Sequence, residues 1–266
     1  GTGAPRLAHR AQEPMNPASV MKLVTTFAGL ELLGPAYVWQ TPVYIDGTVH
    51  DGTLRGNVYL RGQGDPKLVM ERLWLLLRRL QGQGIEDIHG DIVLDRSAFS
   101  VPGHDAAQFD GEPLRPYNAA PDALLLNFKS VVMGWVPDTA AGVARVQWDP
   151  PLAGVRLPRS VPLAPAGTAC GDWRASLKAE LANPTRFTFA GAYPSSCGER
   201  QWAIAYADPG AYAARAIAGM WGHMGGTLTG TVRNGTVPAG LSPIFSSSSP
   251  ALAEVVRDIN KYSNNV

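Results

Sequence analysis

A serine and a lysine lie three positions apart in a segment that can begin a helix. Ser19 and Lys22 belong to the string NPASVMK at residues 16–22. On a helix, side chains three residues apart lie on the same face. A serine hydroxyl becomes a good nucleophile when a neighbouring base accepts its proton, and a neutral lysine amine is such a base. The pair therefore predicts nucleophilic catalysis, with Ser19 as the nucleophile and Lys22 as the proton acceptor.

The flanking residues predict the helix that would hold this pair. Asn16 is a favourable helix N-cap, and the proline that follows it suits the first helical position. Apolar residues then recur at helical spacing, at Val20, Leu23, Val24 and Phe27. Gly34 and Pro35 predict the end, because glycine accepts the left-handed cap conformation and proline cannot continue the ladder. The predicted helix, residues 17–33, places Ser19 in its first turn, where unpaired N–H groups favour a developing anion.

The two short motifs of the chain are weak evidence when each is taken alone. Ser-x-x-Lys is built from common residue types and arises by chance, and so does the pattern Ser263-Asn264-Asn265 near the other end. The alternative is a capped surface helix on which Ser19 and Lys22 are merely solvated. The sequences of the longer segments around both motifs favour the catalytic interpretation.

The segment PMNPASVMKLVTTFAGLELLG, residues 14–34, resembles the active-site helix of the penicillin-binding proteins. It is most similar to their low-molecular-mass class C group, the D-alanyl-D-alanine carboxypeptidases and endopeptidases of peptidase family S13. Residues 263–265 resemble the family's Ser-x-Asn motif, and the resemblance continues through residues 56–68, 89–99 and 116–128. It covers most of the chain and implies an α+β protein with the serine β-lactamase/DD-peptidase fold.

The distance between the two motifs bears on the domain organisation. About 240 residues separate Lys22 from Ser263, more than a compact serine β-lactamase places between equivalent motifs. In the resembled family, inserted domains nested one inside another fill this distance. The implied domains are a partial penicillin-binding domain (1–42 plus 237–266), an inserted α/β domain (43–128 plus 209–236) and a nested β-rich domain (129–208).

Apolar periodicity and turn residues predict the elements between the motifs. In chain order we expect a hairpin around residues 50–52, an amphipathic helix over 68–81 with Trp74 in the core, a strand over 88–94, and another strand beginning at 124–128. Later we expect a helix from Asp208-Pro209 to about residue 225, a loop over 235–249, and a last helix that delivers Ser263.

Composition excludes some classes of function. The chain has 266 residues, 45% hydrophobic content and a formal net charge of +1, which argues against a nucleic-acid partner. The five histidines and two cysteines form no cluster at ligand spacing, so we expect no metal and no cofactor. A homo-oligomer and peripheral membrane association stay open.

The resemblance implies an acyl-transfer mechanism on peptidoglycan stem peptides. Ser19 would attack the carbonyl between two terminal D-alanines while Lys22 takes its proton, and water would hydrolyse the acyl-enzyme. Ser263 would relay a proton to the leaving amine, and Asn265 would bind the substrate amide and orient Lys22. β-Lactam antibiotics would acylate the same serine.

Asp95 and Phe99 form a second candidate site. They resemble a segment that in relatives approaches the active-site cleft and helps to select the stem peptide. The alternative for this pair is a strand-end turn with a core phenylalanine.

The two cysteines bear on the cellular compartment. From the residues alone, Cys170 and Cys197 are either a disulfide or two buried free thiols. The family resemblance favours the bridge and an exported, periplasmic protein. Such a bond would stabilise the fold by about 3 to 4 kcal/mol in the chain-entropy model. We recognise no signal peptide and no apolar run of about 18 residues that could span a membrane.

One motif of the resembled family has no counterpart here. Lys-Thr-Gly or Lys-Ser-Gly should lie on a strand beside the nucleophile, and the nearest match, Lys129-Ser130-Val131, lacks the glycine that lets a backbone approach closely. We therefore expect a partial copy of the fold: either its backing sheet, second oxyanion donor and carboxylate-binding motif come from elsewhere, or the chain by itself is inactive. Two rival functions remain: a non-catalytic penicillin-fold scaffold and a Ser-x-x-Lys esterase.

Overall fold

A computed structural model describes Gly3 and residues 8–263. Its helices are α1 (Met21–Leu33), α2 (Met70–Gln81), α3 (Trp173–Ser176), α4 (Pro209–His223) and α5 (Leu252–Tyr262). Single 3-10 turns cover Ala18–Val20, Pro116–Asn118, Asn127–Lys129 and Ser195–Cys197.

The strands are short and fall into several sheets. They are β1 (Gln40–Ile45), β2 (Thr48–His50), β3 (Thr53–Arg55), β4 (Val58–Arg61), β5 (Asp87–His89), β6 (Ile92–Asp95), β7 (Ser130–Asp138), β8 (Val143–Asp149), β9 (Ser160–Pro162), β10 (Ala179–Glu180), β11 (Thr188–Phe189), β12 (Arg200–Ala205), β13 (Thr227–Leu228), β14 (Val232–Asn234) and β15 (Phe245–Ser248).

The chain divides into two compact units. The first comprises the residues up to Tyr37 together with the segment that begins at Ala251, and the second comprises Val38–Pro250. The division places α1 and α5 in the first unit. All the sheets belong to the second.

In the first unit, α1 begins later than predicted. The Asn16 side chain accepts a hydrogen bond from the Ala18 N–H at 2.9 Å, which forms an Asx turn, but the cap position of the 3-10 turn Ala18–Val20 is Pro17. The predicted start at residue 17 is therefore wrong: this tighter turn comes first, and α1 itself begins at Met21. At the other end Gly34, at φ 81°, donates its N–H to the Leu30 carbonyl at 3.0 Å. Glycine adopts this positive φ without the strain that a side chain would cause.

The apolar side of α1 faces solvent within the described residues. The side chains concerned are 58 to 64% exposed, at Val20, Leu23, Val24 and Phe27. Thr26 is the buried residue of α1, because this side of the helix packs against α5. An exposed apolar patch of this kind usually marks a site where another protein segment packs.

In the second unit, the central sheet has five strands in the order β14-β6-β4-β1-β15. Strand β1 is antiparallel to both of its neighbours, whereas β4, β6 and β14 run parallel. A four-stranded sheet of order β13-β5-β3-β2 lies in the same unit, and α2 buries Leu73, Leu76, Leu77 and Leu80 in the core. The predicted hairpin is confirmed as β2 and β3, with Asp51 at φ 47° and Gly52 at φ 78° in its turn.

The loop predicted over residues 235–249 is wrong at its end, where the serine run forms the edge strand β15. Serine has a low strand propensity, but sheet context overrides propensity. The outward carbonyls of the strand accept hydrogen bonds from α2: Arg79 binds the Ser246 carbonyl at 2.7 Å, and Arg72 binds that of Ser248. These arginines satisfy an edge that would otherwise be open to another strand.

Two further strand predictions are wrong. The run 88–94 is two strands, β5 and β6, which belong to different sheets and are separated at Gly90. A Cβ at Gly90 would lie 2.2 Å from the Gly56 carbonyl oxygen, so the backbone turns where another chain segment passes very close. At 124–128 no strand forms; Leu126 makes a single bridge with Leu68, and β7 begins only at Ser130.

The prediction that Trp74 belongs to the core is also wrong. Its side chain is 43% exposed, because it lies on the side of α2 away from the buried leucines. The predicted helix after Asp208 is confirmed as α4, whose first turn is capped by the Asp208 carboxylate accepting the Ala211 N–H at 3.1 Å.

The expected β-rich module contains a four-stranded antiparallel sheet of order β12-β7-β8-β9. Its core is aromatic: Trp135, fully buried, stacks on Tyr193 with ring centroids 5.6 Å apart. A disulfide joins Cys170 to Cys197 beside this cluster. The exact bounds of the three nested domains remain a prediction.

Candidate active site

Ser19 lies in the middle of the 3-10 turn that precedes α1, and it is exposed. The preceding residue, Ala18, has φ 44°. A residue with a Cβ is disfavoured at positive φ by roughly 1 to 2 kcal/mol, and such strained positions concentrate at functional sites. The turn thus presents the Ser19 hydroxyl to solvent at the positive end of the helix dipole.

Lys22 is half-buried one turn further on and reaches the second motif. Its Nζ donates a hydrogen bond to the Ser263 Oγ at 2.9 Å, across 241 residues of sequence. Both residues belong to the first unit. The structure therefore brings Lys22 and Ser263 into contact. Ser19 lies three residues before Lys22, in the turn that leads into α1.

Ser263 owes its position to the end of α5. It is the C-cap residue of that helix and has left-handed backbone angles, φ 57° and ψ 38°. Glycine or asparagine usually occupies such a position because other residues are strained there. In this conformation its hydroxyl contacts Lys22. Asn265, the other predicted residue of this motif, lies outside the described residues.

Two polar residues next to the motifs were not recognised in the sequence. Thr26 Oγ1 donates to the Lys22 carbonyl at 2.7 Å and accepts a hydrogen bond from Asn260 Nδ2 at 3.3 Å. Thr26 is one helical turn after Lys22, and Asn260 is one turn before Ser263. That spacing was the available signal, because residues three or four apart on a helix share a face.

Asp95 belongs to the second unit and is almost fully buried at the end of β6. Its carboxylate accepts hydrogen bonds from the backbone N–H groups of Ser97 and Val237, each at 2.9 Å. Burial opposes ionisation of the carboxyl, but these hydrogen bonds and nearby Arg61 outweigh it and hold the pKa of Asp95 below its usual range. Both carboxylate oxygens of Asp95 therefore hold nearby backbone in place, at Ser97 and at Val237.

Phe99 is presented by the turn that Asp95 fixes. Its ring is 45% exposed and lies over Gly64, where a Cβ would come within 2.5 Å of the ring. Gly64 has φ 84°, so both its conformation and the ring above it require glycine. Phe99 is therefore not a core residue, and selection of the substrate by Asp95 and Phe99 stays a prediction.

In the part of the chain that the structure describes, no helix is both long and apolar enough to cross a bilayer.

The model of the D-Ala-D-Ala carboxypeptidase 3 (S13) family matches residues 1–266. The D-alanyl-D-alanine carboxypeptidase DacB of Haemophilus influenzae is 40% identical over 83 residues, which are 31% of this chain and 17% of that protein. The D-alanyl-D-alanine carboxypeptidase of an Actinomadura species is 32% identical over 98 residues, 37% of this chain and 18% of that protein.

Among solved structures, penicillin binding protein 4 of Haemophilus influenzae superposes with a TM-score of 0.68 at 23% identity, covering 94% of this chain and 55% of that one. A second structure of the same protein, complexed with a β-lactam, gives a TM-score of 0.61 at 21% identity over 94% and 53%. The predicted α+β penicillin-binding fold is confirmed. The chain spans about half the length of the solved relative.

Proposed function

Because the chain belongs to the D-Ala-D-Ala carboxypeptidase 3 (S13) family, we propose that it carries the nucleophile of a serine DD-peptidase that cleaves peptidoglycan stem peptides. The observation that carries the proposal is the hydrogen bond from Lys22 Nζ to Ser263 Oγ at 2.9 Å. It joins the two motifs on which the sequence resemblance rests. A surface helix whose lysine was merely solvated would have no reason to meet a serine 241 residues away.

In the proposed first step, the Ser19 hydroxyl oxygen attacks the carbonyl carbon between the two terminal D-alanines. Its proton passes to Lys22, which acts in its neutral form as general base. The tetrahedral intermediate then collapses, the C–N bond breaks, and the terminal D-alanine leaves as an amine. Ser263, already in contact with Lys22, returns the proton to that nitrogen.

The second step hydrolyses the ester that joins Ser19 to the shortened peptide. Water attacks the acyl carbonyl, Lys22 takes a proton from it, and Ser19 is released as the free hydroxyl. In both steps negative charge develops on the carbonyl oxygen next to the start of α1, where the backbone N–H of Ser19 would supply one oxyanion donor. Asn265 would bind the substrate amide.

We propose that β-lactams acylate Ser19, because their ring amide presents the same type of carbonyl. The complex of the related penicillin binding protein 4 with a β-lactam supports this assignment. We also propose a periplasmic location, where peptidoglycan and an oxidising environment for the Cys170–Cys197 bond occur together. The exposed apolar side of α1 would be covered by the backing sheet that the family fold requires.

Release of D-alanine from an acylated D-Ala-D-Ala peptide tests the proposal, using the complete protein that carries this chain. We expect Ser19→Ala and Lys22→Met each to lower the rate by roughly a thousandfold or more, as removal of a nucleophile or its base does in other serine hydrolases. Ser160→Ala, a change at an exposed serine of β9, is the matched control and should keep wild-type activity.

The rival functions give different results in the same experiment. An esterase would hydrolyse short acyl esters in preference to the D-Ala-D-Ala peptide, and its Ser19→Ala variant would lose that reaction. A non-catalytic scaffold would release no D-alanine and would not need Lys22. A cross-linked peptide as a second substrate separates endopeptidase from carboxypeptidase activity.

A further inference from the structure

Helices α1 and α5 run antiparallel in the first unit and are joined at several levels. At the start of α5, the N–H groups of Leu252 and Ala253 donate to the carbonyls of Tyr37 and Pro35, at 2.8 and 3.0 Å. Leu252 also packs against α1, where a Cβ on Gly29 would lie 3.8 Å from its side chain. These contacts fix one end of the pair.

Lys22 and Ser263 lie at the other end of the helix pair. The main-chain hydrogen bonds of Leu252 and Ala253 are far from that end. Leu252 and Ser263 are separated by about 16 Å of helix, at 1.5 Å per residue. A small change in the angle between the helices would therefore move Ser263 by more than the tolerance of a hydrogen bond. Something close to the motifs must set the position of the last turn of α5.

We propose that Thr26 and Asn260 are positioning residues that hold Ser263 against Lys22. This inference rests on the proposed function for its catalytic consequence. Thr26 Oγ1 bonds to the Lys22 carbonyl, so it is attached to the residue it would position, and Asn260 Nδ2 bonds to the same hydroxyl from α5. One hydroxyl, with one donor and two acceptor sites, thus connects the two motif-bearing turns.

Burial and helix geometry support this assignment. Thr26 is only 7% exposed, and it is the buried residue of α1. Its neighbour Thr25 makes the same kind of bond to its own helix, donating to the Met21 carbonyl at 3.2 Å, but lies on the exposed side. Both threonine hydroxyls therefore donate to a carbonyl of α1, but the Thr26 hydroxyl also accepts a hydrogen bond from α5.

The difference between the two threonines provides a matched experiment. Thr26→Val removes the hydroxyl at nearly constant shape, and Thr25→Val makes the same chemical change away from α5. In the complete protein, we expect Thr26→Val to slow acylation of Ser19 by a fluorescent penicillin by about 10-fold to 100-fold, the effect of misplacing a reacting group by about 1 Å. Thr25→Val should keep the wild-type rate, and Thr26→Ser, which restores a hydroxyl, should recover most of it.

Rate and final extent of labelling separate positioning from loss of structure. A misplaced Ser263 lowers the rate constant while the fraction of protein finally labelled stays at the wild-type level. Unfolding lowers that fraction instead. Asn260→Ala is the second variant, because its exposed side chain can be shortened without disturbing a core, and it should slow labelling as Thr26→Val does. Equal rates for the Thr25→Val and Thr26→Val variants, with Asn260→Ala also at the wild-type rate, would overturn the inference.

A second measurement keeps the inference independent of the proposed function. Hydrogen–deuterium exchange of the last turn of α5 should be faster in Thr26→Val and Asn260→Ala than in wild type or Thr25→Val. If the wild-type protein is not labelled by penicillin, the proposed function fails, and the exchange experiment alone decides whether the two residues hold α5. Unchanged exchange in both variants would contradict the positioning role.

Discussion

At the scale of single residues, the candidate site combines chemistry with backbone strain. Ser19 follows an alanine at φ 44°, and Ser263 itself has φ 57°. Left-handed positions favour glycine or asparagine, so the backbone conformation alone does not explain a serine at position 263. In the proposed mechanism the Ser263 hydroxyl carries a proton between Lys22 and the leaving amine.

This reasoning predicts that two substitutions at Ser263 have similar activity but different stability. Both Ser263→Gly and Ser263→Ala remove the hydroxyl, so each should slow acylation by a penicillin by roughly 100-fold or more. Glycine adopts the left-handed conformation without strain, whereas alanine does not, so the alanine variant should be less stable by about 1 kcal/mol. Stopped-flow labelling and urea unfolding measure the two quantities. A glycine variant that labels at the wild-type rate would remove Ser263 from the mechanism.

At the scale of elements, polar side chains decide several features that apolar patterning does not reveal. Strand β15 is a run of serines whose edge is bound by arginines of α2, and sequence patterning predicts a loop there. A polar side chain, Asp91, also holds strand β14 beside β6. The Asp91 carboxylate accepts hydrogen bonds from the Thr231 N–H at 2.8 Å and from the Arg233 Nε at 2.5 Å.

These contacts predict an acid-sensitive contribution to stability. The hydrogen bond from the Thr231 N–H, followed by that from Arg233, lowers the pKa of Asp91 in the folded protein. A carboxyl whose pKa is lower when folded stabilises the fold above its unfolded pKa, near 4, and loses that contribution as the pH falls through the folded value. The ionised Asp91 therefore favours the folded state at neutral pH.

Asp91→Asn should accordingly reduce stability at pH 7 and flatten its decrease between about pH 5 and pH 3. Arg233→Gln is the comparison variant: it leaves the Thr231 N–H in place, so it should retain most of the acid dependence. Urea unfolding at a series of pH values gives the dependence of the free energy of unfolding on pH for each variant. If Asp91→Asn and wild type lose stability in parallel on acidification, Asp91 is not the group responsible.

The elements that sequence reasoning predicted correctly are those specified by local residues. The hairpin turn at Asp51 and Gly52 and the cap of α4 by Asp208 each act within a few positions along the chain. The division of the 88–94 run into two strands depends instead on the close passage of Gly56 beside Gly90, which lies more than thirty residues away.

At the scale of the whole molecule, the same distinction applies to the site. Ser19, Lys22 and Ser263 were recognised because they resemble motifs, and Lys22 and Ser263 are in contact in the structure. Thr26 and Asn260 belong to no motif that we recognised. Their spacing from Lys22 and Ser263 can be read in the sequence, but the hydrogen bond between them appears only in the structure.

In the proposed function, residues of one helix turn and the C-cap residue of a distant helix form a serine nucleophile with its proton carriers. The most direct test is the intact mass of the complete protein after exposure to benzylpenicillin, followed by peptide mapping of the adduct. We predict one added penicillin per molecule, on the peptide that contains Ser19, and no adduct in Ser19→Ala. An unmodified mass, or an adduct that maps to another residue and persists in Ser19→Ala, would contradict the account.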